Sequence, residues 1–330
     1  MDEHSNVRPE FDKRPLTPLS AVANAVRGGL IGLAELVPGI SGGTIALIVG
    51  VYERLIDSGN HIITGIKRLI VGPDRSTWLT EVKKAHWALI IPLLIGMVLT
   101  VFTMAGVMET FVTDHAILAR ALFLGMVAAS VAVPILLIDR ADLSSGADIG
   151  RALGVLLPVA ILFFFLTGMG ESAVNSDPSK LLVFAAAAIA VCALVLPGVS
   201  GSFFLLTIGI YAPTVTAVSD RDLGYLAVFM MGALVGLALF VKFLHYLLHN
   251  HHTLVMLAMA GLMLGSLRAL WPWQGESKEL LAPGDQVGPA AGLMVLGATI
   301  VITLVYIDRR LSSTTDHTEP PQAPHGAGRH

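Results

Sequence analysis

Cysteine is nearly absent from this chain, and charged side chains are scarce. The one cysteine, Cys192, lies in an apolar run, which excludes a disulfide framework and a thiolate metal cluster. Only 14% of the 330 residues are charged, whereas soluble domains carry about 25%. Hydrophobic residues make up 54% and the mean hydropathy is +0.74. The composition therefore excludes an ordinary soluble domain and indicates a protein that folds in a lipid bilayer.

The chain contains several long segments of apolar residues. A bilayer core about 30 Å thick requires roughly 20 apolar residues per helix. Six runs meet this requirement: Trp87 to Met108, Ala121 to Ile138, Ala152 to Gly170, Leu223 to Val241, Leu254 to Trp273 and Gln286 to Ile307. Arg268 lies near the end of the fifth run, where a long side chain can reach the headgroups. The sequence therefore predicts six crossings.

Two other apolar segments are interrupted by helix-breaking residues. The uncharged stretch 181–219 would form a single helix of roughly 58 Å, nearly twice the hydrocarbon thickness. The sequence Pro197-Gly198-Val199-Ser200-Gly201 interrupts it, and Pro38-Gly39-Ile40-Ser41-Gly42-Gly43-Thr44 interrupts the run between Ser20 and Tyr52. We call these interruptions the second break and the first break. Each predicts a re-entrant helical hairpin.

An internal repeat relates the two halves of the chain. Ser41 matches Ser200 at an offset of 159 residues, and Gly96 matches Gly232 at an offset of 136. Further pairs are Gly42 with Gly201, Gly50 with Gly209, Tyr52 with Tyr211, Gly125 with Gly261 and Ser130 with Ser266. Each half therefore has one hairpin and three crossings, and an odd number of crossings predicts an all-α inverted repeat.

The distribution of charge predicts the orientation and the domain boundaries. With both termini in the cytosol, most of the 21 lysine and arginine residues lie inside, as the positive-inside rule expects of an inner-membrane protein. Residues 1–19 lack the pattern of a signal peptide and are expected to be a cytosolic tail. The first membrane repeat is 20–170, with a polar cytosolic segment at 53–86. The second repeat is 171–310, and 311–330 is expected to be a disordered cytosolic tail.

The residues of the breaks are typical of an anion site at membrane depth. Non-helical backbone is tolerated there only where protein or a wet cavity satisfies it. Glycines allow close approach, hydroxyls donate hydrogen bonds, and helix N-termini favour anions. The candidate anion-binding residues are Ser41, Gly42, Gly43, Thr44, Ser200, Gly201, Ser202, Arg27, Arg54, Arg120 and Arg268. Glu35 is the candidate coupling residue, since an ionisable group at that depth suggests function.

Structural interpretations compete with these functional ones. Small residues in membrane segments commonly serve helix packing, and arginines near helix ends commonly snorkel. Glu35 either carries a coupling proton or pairs with Arg27 or Arg120. The histidines at 245, 249, 251 and 252 have no carboxylate or cysteine beside them in the sequence, so we expect no metal site.

The break sequences resemble a known family. The first runs Glu35-Leu-Val-Pro38-Gly-Ile-Ser41-Gly-Gly-Thr44 and continues to Gly50-Val-Tyr52-Glu53-Arg54; the second runs Leu196-Pro197-Gly-Val-Ser200-Gly-Ser202 and continues to Gly209-Ile-Tyr211. They resemble the bacterial polyprenyl-phosphate transporter family called PopT, formerly a domain of unknown function. The resemblance covers roughly Ala25 to Ile307, and Glu35 stands where the family has Asp or Glu.

The resemblance implies a lipid translocase rather than an enzyme. It would return undecaprenyl or decaprenyl phosphate from the outer to the inner leaflet for cell-wall synthesis, without a cofactor, a metal or a nucleic-acid partner. Coupling to protons or sodium and assembly into a homo-oligomer remain open. Two other hypotheses are an ion-coupled carrier of a small soluble anion and an intramembrane serine hydrolase that uses Ser200 with His245.

Overall fold

The computed structural model describes residues 17–36, 41–71, 75–169, 175, 178–275 and 278–316. Within these ranges the chain is helical, and its one isolated β-bridge, between Gln274 and Leu280, belongs to no strand. The predicted all-α class is confirmed. Pro38, Gly39 and Ile40 of the first break lie outside the described residues.

Fourteen α-helices follow one another in the described ranges. Those of the first half are α1 (Pro18–Glu35), α2 (Gly42–Ile48), α3 (Tyr52–Val71), α4 (Trp78–Lys84), α5 (Trp87–Asp114), α6 (Ala116–Ser130), α7 (Ala132–Leu136) and α8 (Gly146–Leu166). Those of the second half are α9 (Lys180–Val195), α10 (Gly201–Ile208), α11 (Tyr211–Ser219), α12 (Leu223–Asn250), α13 (His252–Ser266) and α14 (Val287–Asp316). A short 3-10 helix, Leu267–Leu270, extends α13.

Six helical stretches of the described chain are long and apolar enough to cross a membrane. They are Trp87–Asp114, Ala116–Leu136, Gly146–Leu166, Leu223–Asn250, His252–Leu270 and Val287–Ile307. Large apolar side chains such as Phe102 and Phe165 point outward from these helices, as they do where lipid is the solvent. The predicted number of candidate crossings is therefore confirmed.

The ends of the first and last helices differ from the predicted boundaries. α1 begins at Pro18, because Thr17 and Ser20 form a capping box and proline is favoured in the first helical turn. α14 continues to Asp316, six residues into the segment 311–330 that was expected to be disordered. Residues 317–330 lie outside the described part of the chain.

Each half packs its first helix closely along another helix. α1 packs along α5, and α9 packs along α12. A Cβ placed on Gly96 would come within 1.9 Å of the Ala25 carbonyl oxygen, and one on Gly232 within 2.2 Å of that of Phe184. Only glycine permits such approach. These two contacts are related by the same offsets, 136 and 159, that relate the repeated sequence motifs.

Helices of one half also pack directly on helices of the other half. α6 of the first half packs on α14 of the second, and α13 of the second half packs on α8 of the first. Gly125 lies against the Met294 backbone, and Gly261 lies against the Leu156 carbonyl. α13 is the most buried of the six candidate spans, and Met256, Met259 and Met263 on it are almost fully buried. The core therefore contains residues of both halves.

The described parts of the polar segment 53–86 are mostly helical and lie beside this core. α3 packs on α4 and on α12. Its first residue, Tyr52, is buried at the breaks, whereas its last residues, among them Ile70 and Val71, are exposed. α3 thus extends from the breaks to one end of the bundle.

Candidate functional site

The two breaks contact each other in the interior of the bundle. The Ser41 hydroxyl lies 2.9 Å from the Leu196 carbonyl oxygen and 3.2 Å from that of Leu194, and it donates its proton to this pair. In the opposite direction, the Gly198 amide donates to the Thr44 hydroxyl at 2.8 Å. Residues more than 150 positions apart in the sequence therefore form one polar centre.

This centre satisfies the buried end of α9. The last carbonyl groups of a helix have no partner within the helix, and an unpaired carbonyl at membrane depth is unfavourable by several kcal/mol. α9 ends at Val195, and the Tyr52 hydroxyl donates to the Val195 carbonyl at 3.1 Å. With Ser41, the first half thus supplies donors to the last carbonyls of α9.

Gly43 allows the two breaks to approach this closely. A Cβ at this position would lie 2.6 Å from the Val195 carbonyl oxygen, which is too close for any side chain. The residue that matches Gly43 at the offset of 159 is Ser202, which is exposed. The contact therefore requires glycine in the first break and imposes no such requirement on the second.

The start of α2 is fully capped by side chains. Ser41 accepts a hydrogen bond from the Gly43 amide at 3.1 Å, and a Glu35 carboxylate oxygen accepts one from the Gly42 amide at 3.1 Å. Ser41 and Thr44 are each only 1% exposed. The polar groups of the first break are therefore engaged with protein partners in this conformation.

The start of α10 is arranged differently. Ser200 stands at the N-cap of α10, but its side chain does not cap the helix. Its hydroxyl instead pairs with the Ser202 hydroxyl at 2.9 Å. Leu194, which replaces Glu35 in the repeat, is 41% exposed, and its side chain has no hydrogen-bond acceptor. The hydroxyls of the second break are therefore paired only with each other.

The two breaks are similar again at their far ends. Gly50 and Gly209 have positive φ values of 67° and 82°, and each ends its short helix in a left-handed turn. The next residues, Val51 and Ile210, are both completely buried. At these two pairs of residues the breaks are therefore alike.

The four candidate arginines lie in different surroundings. Arg27 donates to the Asn24 side chain at 3.0 Å, and Arg54 donates to the Gly50 carbonyl at 3.2 Å. Arg120 is half-buried and has no hydrogen-bond or ion-pair partner among the described residues. The expected pairing of Arg120 with Glu35 is therefore not formed.

Arg268 lies against an aromatic ring, and no carboxylate of the described residues pairs with it. Its guanidinium is 4.8 Å from the centre of the Phe164 ring, a cation–π contact. Its buried Nε has no hydrogen-bond partner within the described part of the chain. The 3-10 helix that carries Arg268 packs on α6, which carries Arg120. Both arginines therefore lie toward the same end of the bundle.

The expectation that the histidine cluster lacks carboxylates is wrong. His245 Nε2 lies 3.2 Å from a carboxylate oxygen of Asp57, and His252 Nε2 lies 2.9 Å from one of Glu53. Both carboxylates come from α3, nearly 200 residues earlier in the sequence. The described residues nevertheless contain no group of three histidine, cysteine, aspartate or glutamate side chains arranged to hold a metal ion.

The serine–histidine pair of the hydrolase hypothesis is not formed. Ser200 is paired with Ser202, and His245 faces Asp57. The sequence interpretation also gave no role to Tyr52 or to the carbonyls at the end of α9. The match of Tyr52 with Tyr211 was a signal, but the repeat alone does not show that only Tyr52 is buried, at 4% exposure against 38%.

Comparisons with known proteins agree with the motifs. Residues 31–286 match the family model described as VCA0040-like, undecaprenyl phosphate translocase-like. A protein from Vibrio cholerae named polyprenyl-phosphate transporter is 31% identical over 276 residues, which cover 82% of this chain and 84% of the relative. A Staphylococcus aureus protein of the same name is 29% identical over 262 residues, 76% of this chain and 86% of the relative. No solved structure matches significantly.

Proposed function

The chain belongs to the undecaprenyl phosphate translocase-like family, and from this premise we propose that it transports a polyprenyl phosphate across the cytoplasmic membrane of a bacterium. The lipid is undecaprenyl phosphate or its decaprenyl equivalent. It returns from the outer to the inner leaflet, where cell-wall synthesis uses it again. The protein acts as a transporter and not as an enzyme.

The chemistry of such a lipid matches what the bundle provides. A phosphate charge is prohibitively unfavourable in hydrocarbon, whereas an isoprenoid tail is soluble in it. The protein therefore has to enclose only the headgroup, in a polar pocket that opens sideways to the lipid. The two breaks supply a group of hydroxyls, amides and glycines within an otherwise apolar interior.

The observation that carries the proposal is that the second break has serine hydroxyls available to a ligand and that two arginines near it lack a carboxylate partner among the described residues. Within the part of the chain that the structure describes, Ser200 and Ser202 have no acceptor other than each other, and Arg120 and Arg268 have no carboxylate partner. Gly198 lies against the backbone of Met263, so along α13 the second break is only about 8 Å from the level of Arg268. In this assignment, the two arginines capture the phosphate and pass it to the second break.

The residues of the first break act in a later step. In the conformation described here, the Ser41 hydroxyl binds carbonyls of α9, and Thr44 binds the Gly198 amide. When the breaks separate, these two hydroxyls and the Gly201 amide become free to bind phosphate, and the amides of Gly42 and Gly43 bind it by exchanging their caps, Glu35 and Ser41. Arg27 and Arg54 then receive the headgroup on the cytosolic side. The hydrogen bonds between the breaks are thus exchanged for hydrogen bonds to the substrate.

An inverted repeat would allow the phosphate pocket to open to the outer leaflet or to the inner leaflet. The glycine contacts repeat at constant offsets, and the pairing of α6 with α14 mirrors that of α13 with α8. Two halves of opposite orientation, each a re-entrant hairpin and three crossings, can rock against each other and open the pocket to either leaflet. With both termini in the cytosol, the arginine end of the bundle faces outward.

The test uses purified protein in liposomes with a leaflet-resolved assay of polyprenyl-phosphate movement. We expect the double substitutions Ser200→Ala with Ser202→Ala, and Arg120→Gln with Arg268→Gln, to slow transport at least about tenfold, since a hydrogen bond to a charged group contributes roughly 1.5–3 kcal/mol. Arg221→Gln, at an exposed outer position, serves as the matched control.

Two results would overturn the proposal. One is a wild-type protein that moves no polyprenyl phosphate between leaflets. The other is transport of soluble inorganic phosphate without lipid movement, which would instead support the soluble-anion carrier. If lipid moves but neither double substitution slows it, the lipid function stands and the assigned residues are wrong.

A further inference from the structure

Three imidazoles converge on one carboxylate at the end of the bundle opposite Arg268. The Nε2 atoms of His245, His86 and His61 lie 3.2, 3.4 and 3.7 Å from the carboxylate oxygens of Asp57. Asp57 and His61 belong to α3, His86 immediately precedes α5, and His245 belongs to α12. The Asp57 carboxylate therefore connects three helices of both halves.

His61 is the member of this cluster that faces two carboxylates. Its Nδ1 lies 3.2 Å from a carboxylate oxygen of Glu81, which is hydrogen-bond distance, and its Nε2 lies 3.7 Å from Asp57, which is within ion-pair range but too long for a hydrogen bond. A neutral imidazole carries one N–H, whereas an imidazolium carries two and a positive charge. An imidazolium at His61 would thus hydrogen-bond to Glu81 and attract the Asp57 carboxylate, whereas a neutral ring that donates to Glu81 presents only a lone pair to Asp57.

Glu81 is held in its ionised form. It is 6% exposed, yet the Lys84 ammonium at 2.9 Å, together with His61 and Arg68, lowers the pKa of the Glu81 carboxyl below its ordinary value. This effect outweighs the burial, which acts in the opposite direction. An ionised Glu81 accepts a hydrogen bond from His61 Nδ1, and a neutral ring that donates from Nδ1 has no proton on Nε2.

We propose that the cluster formed by Asp57, His61, His86, His245 and Glu81 is a proton-binding site, separate from the breaks, in which His61 accepts the proton. It rests on the proposed transport function only for its purpose, which is to link a bound proton to the conformation of the transporter. A proton from the cytosolic side binds to the imidazole nitrogen, and no other bond is formed or broken.

α3 connects the proposed proton site to the breaks. His61 lies nine residues after Tyr52, or about 14 Å along the same helix. Tyr52 donates to the Val195 carbonyl, so α3 holds the end of α9 at one point and α12 at another. A bound proton therefore stabilises the conformation in which the breaks are joined, and by linkage the joined conformation binds the proton more tightly.

Other charged groups also join α3 to the helices packed around it. Glu53 faces His252 of α13, and the Lys242 ammonium of α12 donates to the Thr64 hydroxyl at 3.1 Å. From α3 itself, Arg68 binds Glu81. The helix α2, which also packs on α3, carries no charged residue. Histidine is in general the side chain whose ordinary titration range lies near neutral pH, so the test spans that range.

The test measures the separation of α3 and α12 by pulsed electron spin resonance in nanodiscs. Spin labels are placed at Lys67→Cys and Tyr246→Cys, both exposed, in a Cys192→Ala background. We expect the distance distribution to shift to longer values between pH 5.5 and pH 8, a window based on the titration range of histidine. The shift should be absent in His61→Gln and retained in His251→Gln, an exposed histidine without a carboxylate partner.

A second variant protects the test against misfolding of the first. Glu81→Gln removes one of the two carboxylates, so the midpoint of the distance change should fall by about one pH unit, because the nearby negative charge is lost. A wild-type distance that is independent of pH, or a response that persists unchanged in His61→Gln, would overturn the proposal. The distance is measured without substrate, so failure of lipid transport in the separate assay does not affect this result.

Discussion

The first break and the second break have the same pattern of proline, glycine and serine but bind different partners. In the first break, Ser41 caps its own helix, donates to the end of α9 and is buried. In the second break, Ser200 stands at the matching position, caps nothing and pairs with Ser202. The first copy of the motif therefore hydrogen-bonds the two halves together, whereas the serine hydroxyls of the second copy pair with each other.

This difference follows from a few substitutions between the repeats. Gly43 admits the Val195 carbonyl where the second break has Ser202, and Glu35 receives the Gly42 amide where the second has Leu194. Two symmetric breaks that fastened each other would leave no polar group for a ligand. Asymmetry therefore allows one of the two motifs to hold the bundle together while the other keeps hydroxyls that pair with no other described group.

The exchange of glycine and serine between the breaks should have the largest effect. Gly43→Ser places a Cβ against the Val195 carbonyl and should destabilise the protein by about 1–3 kcal/mol or more, since backbone cannot yield as a side chain does. The reverse change, Ser202→Gly, meets no such contact and should leave stability nearly unchanged. Thermal unfolding in nanodiscs compares the two variants, and equal losses would show that the breaks are equivalent.

The two matched serines should separate stability from transport. Ser41→Ala removes the donor to the Leu194 and Leu196 carbonyls, so unfolding should become easier by about 1–3 kcal/mol. Ser200→Ala should change stability by less than about 0.5 kcal/mol but weaken headgroup binding. Unfolding and lipid transport are measured on both variants. A stability loss in Ser200→Ala that matches that of Ser41→Ala would contradict the assignment.

The matched tyrosines should show a smaller contrast of the same kind. Tyr52→Phe leaves the Val195 carbonyl without its hydroxyl donor and should lower the free energy of unfolding by about 1 kcal/mol. Tyr211 is 38% exposed, and Tyr211→Phe is the control with no expected change. If the denaturation midpoints of the two variants coincide, the Tyr52 hydroxyl does not stabilise the contact between α3 and the end of α9.

Glu35 should produce the smallest change in stability. Glu35→Gln keeps an oxygen that can accept from the Gly42 amide and loses only the charge, so the stability should fall by less than about 1 kcal/mol. If Glu35 carries a coupling proton, the variant should lose the dependence of lipid transport on an imposed proton gradient. An unchanged gradient dependence would remove Glu35 from coupling and leave it as a cap of α2.

The membrane architecture could be predicted because its causes are local. Runs of about 20 apolar residues have to be helical in a bilayer, where every backbone group must pair within its own segment. The second break was located correctly, since α9 ends at Val195 and α10 begins at Gly201 on either side of the proline. The end of α14 was missed, because a helix can continue past the last apolar residue into polar sequence.

The partners of the polar residues could not be predicted. His245 was dismissed as a ligand because no carboxylate is near it in the sequence, and its partner Asp57 is 188 residues away. Arg120 was named as one of two possible partners of Glu35, and the structure leaves Arg120 without a partner in the described part of the chain. Neither outcome has a signal in spacing or composition.

Composition and periodicity were thus sufficient for the solvent of this protein, the number of its apolar helices and the places where two segments break, because each depends on residues close together in the chain. Only the tertiary structure shows that Ser41 binds the end of α9 while its copy Ser200 does not. The reason is physical: a repeated sequence has the same local preferences in both places, but a buried hydroxyl pairs with whichever group the packing of distant helices brings within reach.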